Sequence, residues 1–486
     1  MANPLLFRSL LRDAPLANAS NQQGAAAFAF TPRHKLAQMV MTGCMNETFY
    51  ASGQAQLNDV LATAKDLNDL FLAQLAIYGR ERGMMKDMPA LLTAILAARG
   101  SALLPVVFAR VINNGRMLRN FVQILRSGVT GRRSLGTRPK KLVQRWLQNA
   151  SEERLLQASV GNAPSLADIV KMVHPRPQAA WQEAFFAWLI GKPCDKAQLP
   201  EKTRALLAFR EGDMGAALPD VPFLLLTNAP LSREQWAQLA QRLADRAQVR
   251  QSWVYPYQLL SAWSNLQSGV PQVIREALAQ AMEYALENIP PFRGNVVVCP
   301  DVSGSMKSSI TGYRKGATSK IRCVDVAGLI AAAVLRNHPQ ARVLPFECDV
   351  VDVQLDARQS VMHNAQKLAA VGGGGTNCSA PLRRLLNERA RVDLVIMVSD
   401  NESWVDKSRH GSTATMECWI ELKKRNPQAR LVCIDLLPYG TTQAAERSDI
   451  LNVGGFSDEV FTVIDNFVNG RYGSAHWLEE IEAVTL

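Results

Sequence analysis

The sequence has no pair of cysteines spaced C-x-x-C. Its eight cysteines lie apart, at 44, 194, 299, 323, 348, 378, 418 and 433, which argues against a zinc cluster or a thioredoxin-like redox site. Several sit inside apolar runs such as "RLVCIDLL" (430–437), the pattern of buried free thiols in a reducing cytoplasm. No stretch approaches the ~18 consecutive apolar residues of a membrane span, so no membrane partner is expected. The opening "MANPLLFRSLLRDAPLANAS" lacks a clean apolar core followed by a small-residue cleavage site. It reads as a fraying arm rather than a secretory leader.

A more telling absence is that of negative charge. Between Asp87 and Glu152 there is no acidic residue. The gap holds Arg99, Arg110, Arg116, Arg119, Arg126, Arg132, Arg133, Arg138, Lys140, Lys141 and Arg145, eleven cations that match the whole net charge of +11. From Gly294 onward 21 Lys and Arg face 22 Asp and Glu. One segment therefore carries the basic field, which points to a polyanion. Its densest part, "RSGVTGRRSLGTRPKKLVQRWLQ" (126–148), reads as a glycine-punctuated loop leading into a helix. Loop amides and arginine forks there can hold phosphates. The plainer account is a solvated helical face; the arginine bias and the lack of balancing acid favour RNA.

The 486 residues suggest two domains or more. The first 290 read as successive helices. "MLRNFVQIL" sets Met117, Leu118, Phe121, Val122 and Leu125 on one face. "LLTAILAARG" ends on a C-cap candidate, Gly100, and "EQWAQLAQRLADRA" repeats the helical spacing. Turn signals recur without a fixed period, which predicts an irregular array of stacked helical hairpins. Trp146, Trp181, Trp188, Trp236 and Trp253 fall at core-like helical positions.

After "ENIPPFRGN" the pattern changes. Strands are expected at "NVVVC", "ARVLPFE", "DLVIMVS" and "RLVCIDLL", and helices at "VDVAGLIAAAVLRN", "SAPLRRLLNERA", "TATMECWIELKKR" and "SDEVFTVIDNFVNG". Alternation of this kind predicts an α/β, Rossmann-like domain with a parallel sheet, whose ligands sit at the carboxyl ends of the strands. Asp301 falls at such an end, in "VVVCPDVSGSM" (296–306), followed by Ser303 and Ser305.

Hydroxyls and carboxylates are hard donors suited to Mg²⁺, with Mn²⁺ or Ca²⁺ as alternatives. Alone, D-x-S-x-S arises by chance in roughly a tenth of chains this long, and an Asp/Ser helix cap explains it as well. Two further loops shift the balance: "VGGGGTN" presents Thr376, and "DLVIMVSDNESW" presents Asp400 after a strand. The five positions resemble, in order, the metal-ion-dependent adhesion site of von Willebrand factor A domains. The resemblance implies metal contact through Ser303, Ser305 and Thr376, with Asp301 and Asp400 acting largely through water or as outer acceptors. It leaves one coordination position for an acidic or phosphate group of a partner. Glu402 is the nearest candidate base and is read as an exposed loop glutamate. Trp404 is read as a packing anchor for Asp400, with exposed contact as the alternative.

A basic helical array followed by such a domain resembles the Ro ribonucleoprotein family, whose helical part is the TROVE module. The most specific segments are "DVSGSM" (301–306), "SDNESW" (399–404) and "VGGFSDEVFTVIDNF" (453–467); "GCMNETFYAS" and "MVHPRPQ" match more loosely. The resemblance implies a ring of irregular, HEAT-like helical repeats over 1–290 and the metal-site domain over 291–486. It implies a noncatalytic, monomeric cytoplasmic RNA-binding protein of RNA quality control, processing or decay. Its expected ligands are small Y-like noncoding RNA and single-stranded 3′ ends of defective RNA, with an exoribonuclease as partner. The RNA contacts expected are Arg116, Arg119, Arg126, Arg132, Arg133, Arg138, Lys140, Lys141 and His174, the last being equally placed to cap a helix before Pro175. One departure stands out. Where family members carry a basic stretch before the "HP" segment, this chain reads "LLQASVGNAPS" (155–165), without charge and with Arg154 just ahead. Two rival readings are a metal-dependent protein-binding adhesion module without an RNA role and a metal-dependent phosphohydrolase.

Overall fold

The computed structural model describes residues 14–43, 45–159, 161, 164–210, 231–251, 256–266, 269–313, 321–405, 411–457, 459–471 and 477–486. Cys44, Trp253 and the first 13 residues of the N-terminal arm lie outside them. The chain forms two compact units, Met1–Leu67 with Leu239–Ala483, and Asn68–Gln238 with Val484–Leu486. The boundary expected at 290 differs from this grouping: the described residues from 14 to 67 and from 239 to 290 belong with the α/β part.

The first unit is built on a parallel sheet of β3 (Val296–Pro300), β4 (Arg342–Val343), β5 (Leu394–Ser399), β6 (Arg430–Asp435) and β8 (Ile450–Gly454), in the order β4-β3-β5-β6-β8. Every residue of β3, β5 and β8 is buried, which is why β3 and β5 read as apolar runs rather than alternating ones. The expected strand "ARVLPFE" contracts to two residues, because Pro345 supplies no amide to a ladder. Pairing nevertheless continues past it: the Leu344 amide donates to the Val298 carbonyl at 2.9 Å and the Phe346 amide to Pro300 at 3.1 Å. Helices Cys323–Asn337, Ala380–Asn387 and Ala414–Arg425 match the expected ones closely. Strand β8 and helix Val361–Ala369 were not anticipated. Trp419, Phe346, Leu382 and Met397 centre the core on one face of the sheet.

The chain runs from β3 outward to β4 and then returns to the other side of β3 to form β5. That reversal is a topological switch point, where the strand ends diverge and open a crevice. It brings the residues that follow β3 and β5 side by side, and the Asp301 amide donates to the Val398 carbonyl at 2.9 Å.

The N-terminal segment, expected to be all helix, begins instead as a hairpin. Strands β1 (Ala19–Ser20) and β2 (Ala26–Ala29) pair antiparallel, and β2 pairs with β7 (Thr441–Thr442). Helices α1 (Pro32–Thr42) and α2 (Gly53–Lys65) follow.

The second unit holds α3 (Asp69–Glu81), α4 (Asp87–Arg99), α5 (Leu104–Val111), α6 (Gly115–Ser127), α7 (Thr137–Asn149), α8 (Glu152–Ala158), α9 (Leu166–Val173) and α10 (Ala180–Leu189). The stripe predicted on α6 is fully buried, from Met117 through Leu125. Its ends are fixed by cap chemistry: the Asn114 side chain accepts the Met117 amide, and Gly128 closes the helix at φ 88°. Gly100 caps α4 at φ 72°. Packing runs between near neighbours, α3 on α4 and α5, α4 on α6, and α6 on α8 and α9, as in an irregular helical repeat.

Candidate metal centre and nucleic-acid interface

Three loops of the first unit meet at the switch point. In the loop after β3, the Ser303 amide donates to Asp301 Oδ1 at 2.8 Å, and Ser399 Oγ donates to Asp301 Oδ2 at 2.6 Å. Both carboxylate oxygens of Asp301 are thus held by protein, which makes it a positioning residue. The Ser303 and Ser305 hydroxyls lie 3.3 Å apart. The glycine loop is stitched to them by the Gly304 amide, which donates to the Gly374 carbonyl at 2.8 Å. Gly372 has φ 76°, and a β-carbon there would fall 2.3 Å from the Val302 carbonyl oxygen, so glycine is required for the approach. The third loop joins through the Thr376 carbonyl, which accepts from the Trp404 and Val405 amides at 3.1 and 3.2 Å.

The donors fit a divalent cation. Among the described residues no three His, Cys, Asp or Glu side chains gather as a metal cluster, so any ion here rests on hydroxyls. With metal–oxygen distances near 2.1 Å for Mg²⁺ and 2.4 Å for Ca²⁺, adjacent octahedral ligands lie about 3.0 or about 3.4 Å apart. The serine spacing suits either. Asp400 Oδ2 is buried with no hydrogen-bond partner, whereas Oδ1 accepts the Glu402 amide at 3.2 Å. An orphaned carboxylate oxygen beside paired hydroxyls is costly unless something positive sits there. Burial, then Asp400, raises the Asp301 pKa. Burial likewise raises that of Asp400, against the opposing Ser305 hydroxyl and Glu402 amide. When bound, a cation would offset both shifts and polarise an oxygen ligand.

Glu402 departs from its expected exposure: it is 0% exposed. Its Oε2 accepts the Gln22 amide at 2.8 Å and its Oε1 has no partner. Burial and the neighbouring Asp400 push its carboxyl up to about 8. Trp404 departs in the other direction. It is 46% exposed, with its ring over Gly375.

Two tyrosines complete the surroundings, and sequence reading passed over both. Burial followed by Asp400 pushes the Tyr50 phenol up to about 12. The Tyr50 ring packs edge-on against Tyr439, centroids 5.6 Å apart. Tyr50 lies inside "GCMNETFYAS", but nothing in its spacing signals a site some 250 residues away.

The basic residues of the second unit fall into groups with different partners. Arg99 and Arg110 pair with Asp69 and Glu81 at 3.0 and 2.6 Å. Arg119 and Arg138 are occupied by backbone: Arg119 Nη1 donates to the Ala158 carbonyl at 2.8 Å, and Arg138 Nη1 to Ser101 at 2.9 Å. Arg154 lies over the Trp146 ring at 4.9 Å and donates to the Asn113 carbonyl at 2.6 Å. A further group lines a groove of about 950 Å³, with Arg126, Arg133, Lys140, Lys141 and Lys171 on its walls and Asp168 as its acid. Arg132 and Arg116 are exposed outside this lining. Lys171, on α9, was not anticipated.

Arg138, Lys140 and Lys141 occupy the first turns of α7, which carries no acid there. Cations at a helix N-terminus oppose the dipole, so helix stability does not account for them. They add to a positive field, as an anion site requires. His174 caps α9 in the left-handed region, φ 53°, its amide donating to Val170 at 3.0 Å, while its side chain is exposed. The capping reading therefore holds for its backbone and leaves the imidazole free for a ligand. Of the tryptophans read as core, Trp146 is buried and donates to Ile112 at 2.6 Å. Trp181, Trp188 and Trp236 are half-buried.

A parallel α/β sheet with hydroxyl and carboxylate loops at its switch point, accompanied by an irregular helical array, defines a helical-repeat protein with a von Willebrand factor A-type domain. Residues 295–468 match the family model described as the Ro60 vWA domain. The "RNA-binding protein RO60" of Deinococcus radiodurans is 25% identical over 48% of this chain and 44% of its own length. Its namesake in Caenorhabditis elegans is 22% identical over 48% of this chain and 36% of its own. The chain thus spans less than half the length of these curated relatives. The crystal structure of the Deinococcus radiodurans Ro (RSR) protein shares the fold, with a TM-score of 0.55 and 20% identity over 91% of this chain and all of that one. The chain is Ro-like.

Proposed function

We propose that this chain is a noncatalytic RNA-binding protein acting in RNA quality control, processing or decay. It takes small, structured Y-like noncoding RNA and single-stranded 3′ ends of defective RNA, works as a cytoplasmic monomer and hands RNA to an exoribonuclease. The observation that carries the reading is the groove between α7 and α9, where five cations face a single carboxylate. Phosphate contacts of this kind supply affinity without reading bases. The relatives bearing the name RNA-binding protein support the same reading. Mg²⁺ at Ser303, Ser305 and Thr376 is the proposed ion of the other unit. Glu402, the carboxylate placed to serve as a base there, is buried and held by the Gln22 amide, which favours a binding role over hydrolysis.

Filter binding of the full chain to a stem-loop RNA with a single-stranded 3′ tail tests this across about 50 to 200 mM salt. Five phosphate contacts on a single strand give a slope of log affinity against log salt of roughly −3.5. Absent or salt-insensitive binding would sink the proposal and favour a metal-dependent protein-binding module. Mg²⁺-dependent cleavage of labelled RNA, lost in Asp301→Ala, would make the chain a phosphohydrolase instead.

A further inference from the structure

The sheet unit also holds a cavity of about 370 Å³ that is part of neither the cation centre nor the basic groove. Its size lies at the low end of the ~300–1,000 Å³ range of small-ligand sites. The walls are the β1–β2 turn at 23–26, the loop after β5 at Ser403 and Trp404, the N-terminus of helix Ala414–Arg425, and Gln443. Hydrogen bonds fix these walls to one another. The Asn21 side chain accepts the Ala25 amide at 2.9 Å and donates through Nδ2 to the Ser403 carbonyl at 2.6 Å. Thr413 Oγ1 donates to the Gln443 carbonyl at 2.6 Å, and Gln443 Nε2 donates to that of Asn401 at 3.2 Å. Among the described residues, none that lines the cavity is charged. The Trp404 ring lies over Gly375, where a β-carbon would come 2.8 Å from its Cζ2, and the side of it left open makes the residue 46% exposed. Ser412 lines the same cavity; it is 1% exposed and its Oγ has no hydrogen-bond partner. The Ala414 amide, in the first turn of its helix, has no acceptor within that helix. Gln23 is exposed on the turn.

We infer that this cavity receives one unpaired nucleobase, laid on the Trp404 ring with its polar edge toward Gln23, Ser412 and the Ala414 amide. The chemistry of the walls selects such a ligand. A phosphate finds no cation there, whereas a base is neutral, flat and edged with donors and acceptors. An exposed indole is a platform on which unstacked bases lie. The Gln23 amide and the Ser412 hydroxyl each donate or accept, and a buried hydroxyl without a partner is costly until a ligand or a water meets it. The volume suits one nucleoside rather than a stacked run. A base inside a duplex has no free face, so the cavity distinguishes an unpaired strand from a paired one. That the base comes from RNA rests on the RNA-binding reading; a free nucleoside presents the same face and edge.

The test uses the full-length chain and a stem-loop RNA whose 3′ tail carries either normal nucleotides or abasic ones that keep every phosphate. Wild-type affinity is expected to fall about tenfold when the tail bases are removed, the scale of one lost aromatic stack. Trp404→Ala should bind the normal tail about tenfold more weakly, with the salt slope unchanged, and be indifferent to the abasic change. Ala26→Leu fills the cavity, leaves the indole in place and should behave as Trp404→Ala does. Trp404→Phe keeps a ring and should stay within about threefold of the wild type. Fluorescence of 2-aminopurine in the tail should be quenched by the wild type and not by Trp404→Ala, and free 2-aminopurine riboside separates the two sources of the base. Quenching of the riboside that Trp404→Ala abolishes, with tail binding indifferent to that change, keeps the base site and overturns its assignment to RNA. Equal affinity of the wild type and all three variants for both tails, with neither probe quenched, overturns the cavity's role and leaves phosphate binding by the groove standing. No RNA binding by the wild type, with the riboside still quenched, overturns the RNA-binding reading and not the base site.

Discussion

The two candidate sites solve opposite electrostatic problems. In the sheet unit, carboxylates are buried beside hydroxyls with two oxygens, Asp400 Oδ2 and Glu402 Oε1, left without a partner. The negative charge is concentrated, dehydrated and specific to a small cation. In the helical unit, guanidinium and ammonium groups stand around an open groove with one acid among them. There the positive charge is spread, hydrated and suited to a flexible polyanion. The contrast shows why the first site can be fixed by a few hydrogen bonds and the second cannot. Ångström placement matters for a coordinated ion, whereas a phosphate chain responds to the summed field.

The sharpest way to break this comparison is to exchange the losses. Ser303→Ala with Ser305→Ala should abolish Mg²⁺ binding in calorimetry and leave RNA binding unchanged in filter assays. Equal loss of both in a folded variant would show that the sites are one. Next in size, Arg133→Glu with Lys141→Glu should weaken RNA binding on the order of 10- to 100-fold. The same change should flatten the salt slope from roughly −3.5 towards roughly −2, as three contacts remain, while Mg²⁺ titrations stay as in the wild type.

A smaller effect separates cations that bind from cations that build. Arg119→Ala removes a donor from the Ala158 carbonyl and should cost about 1–2 kcal/mol in urea unfolding, with RNA affinity within about twofold of the wild type. A large RNA defect at preserved stability would move Arg119 back among the contacts. The smallest effect is a pH dependence. The Asp301, Asp400 and Glu402 carboxyls all have folded pKa values above their unfolded ones, Glu402 at about 8. Their contribution to stability is therefore full below about pH 4 and lost as pH rises through about 8. A bound cation compensates the ionised forms. The rise in melting temperature on adding Mg²⁺ should accordingly be larger at pH 8 than at pH 6; an equal rise at both would remove these carboxyls from the ion's surroundings.

Much of this was legible before any coordinates. The unbroken apolar runs of β3 and β5 declared a sheet covered on both faces, and Asp301 and Asp400 fell at strand ends because the hydrophobic pattern stopped there. The α6 stripe was readable from spacing, and the Gly100 cap of α4 from its chemistry. Other elements were not. The β1–β2 hairpin, "AS" and "AAFA", is too short to show a period. Glu402 looked like any loop glutamate, since the amide that holds it belongs to residue 22, some 380 positions away. Arg119 and Arg138 counted as free cations because the carbonyls that occupy them come from another helix, at Ala158, and from the turn at Ser101.

Local sequence determined the classes of element, the donors available to a cation and the segment that carries the positive charge, because these depend on side-chain type and on periods of two or 3.6 residues. Tertiary structure alone decided which cations face a groove and which hold carbonyls. It also decided that Lys171 joins Arg126 and Arg133 and that the Gln22 amide reaches Glu402. Such pairings are set by how distant elements pack, and no local pattern records the distance between residues that the chain brings together only once it has folded.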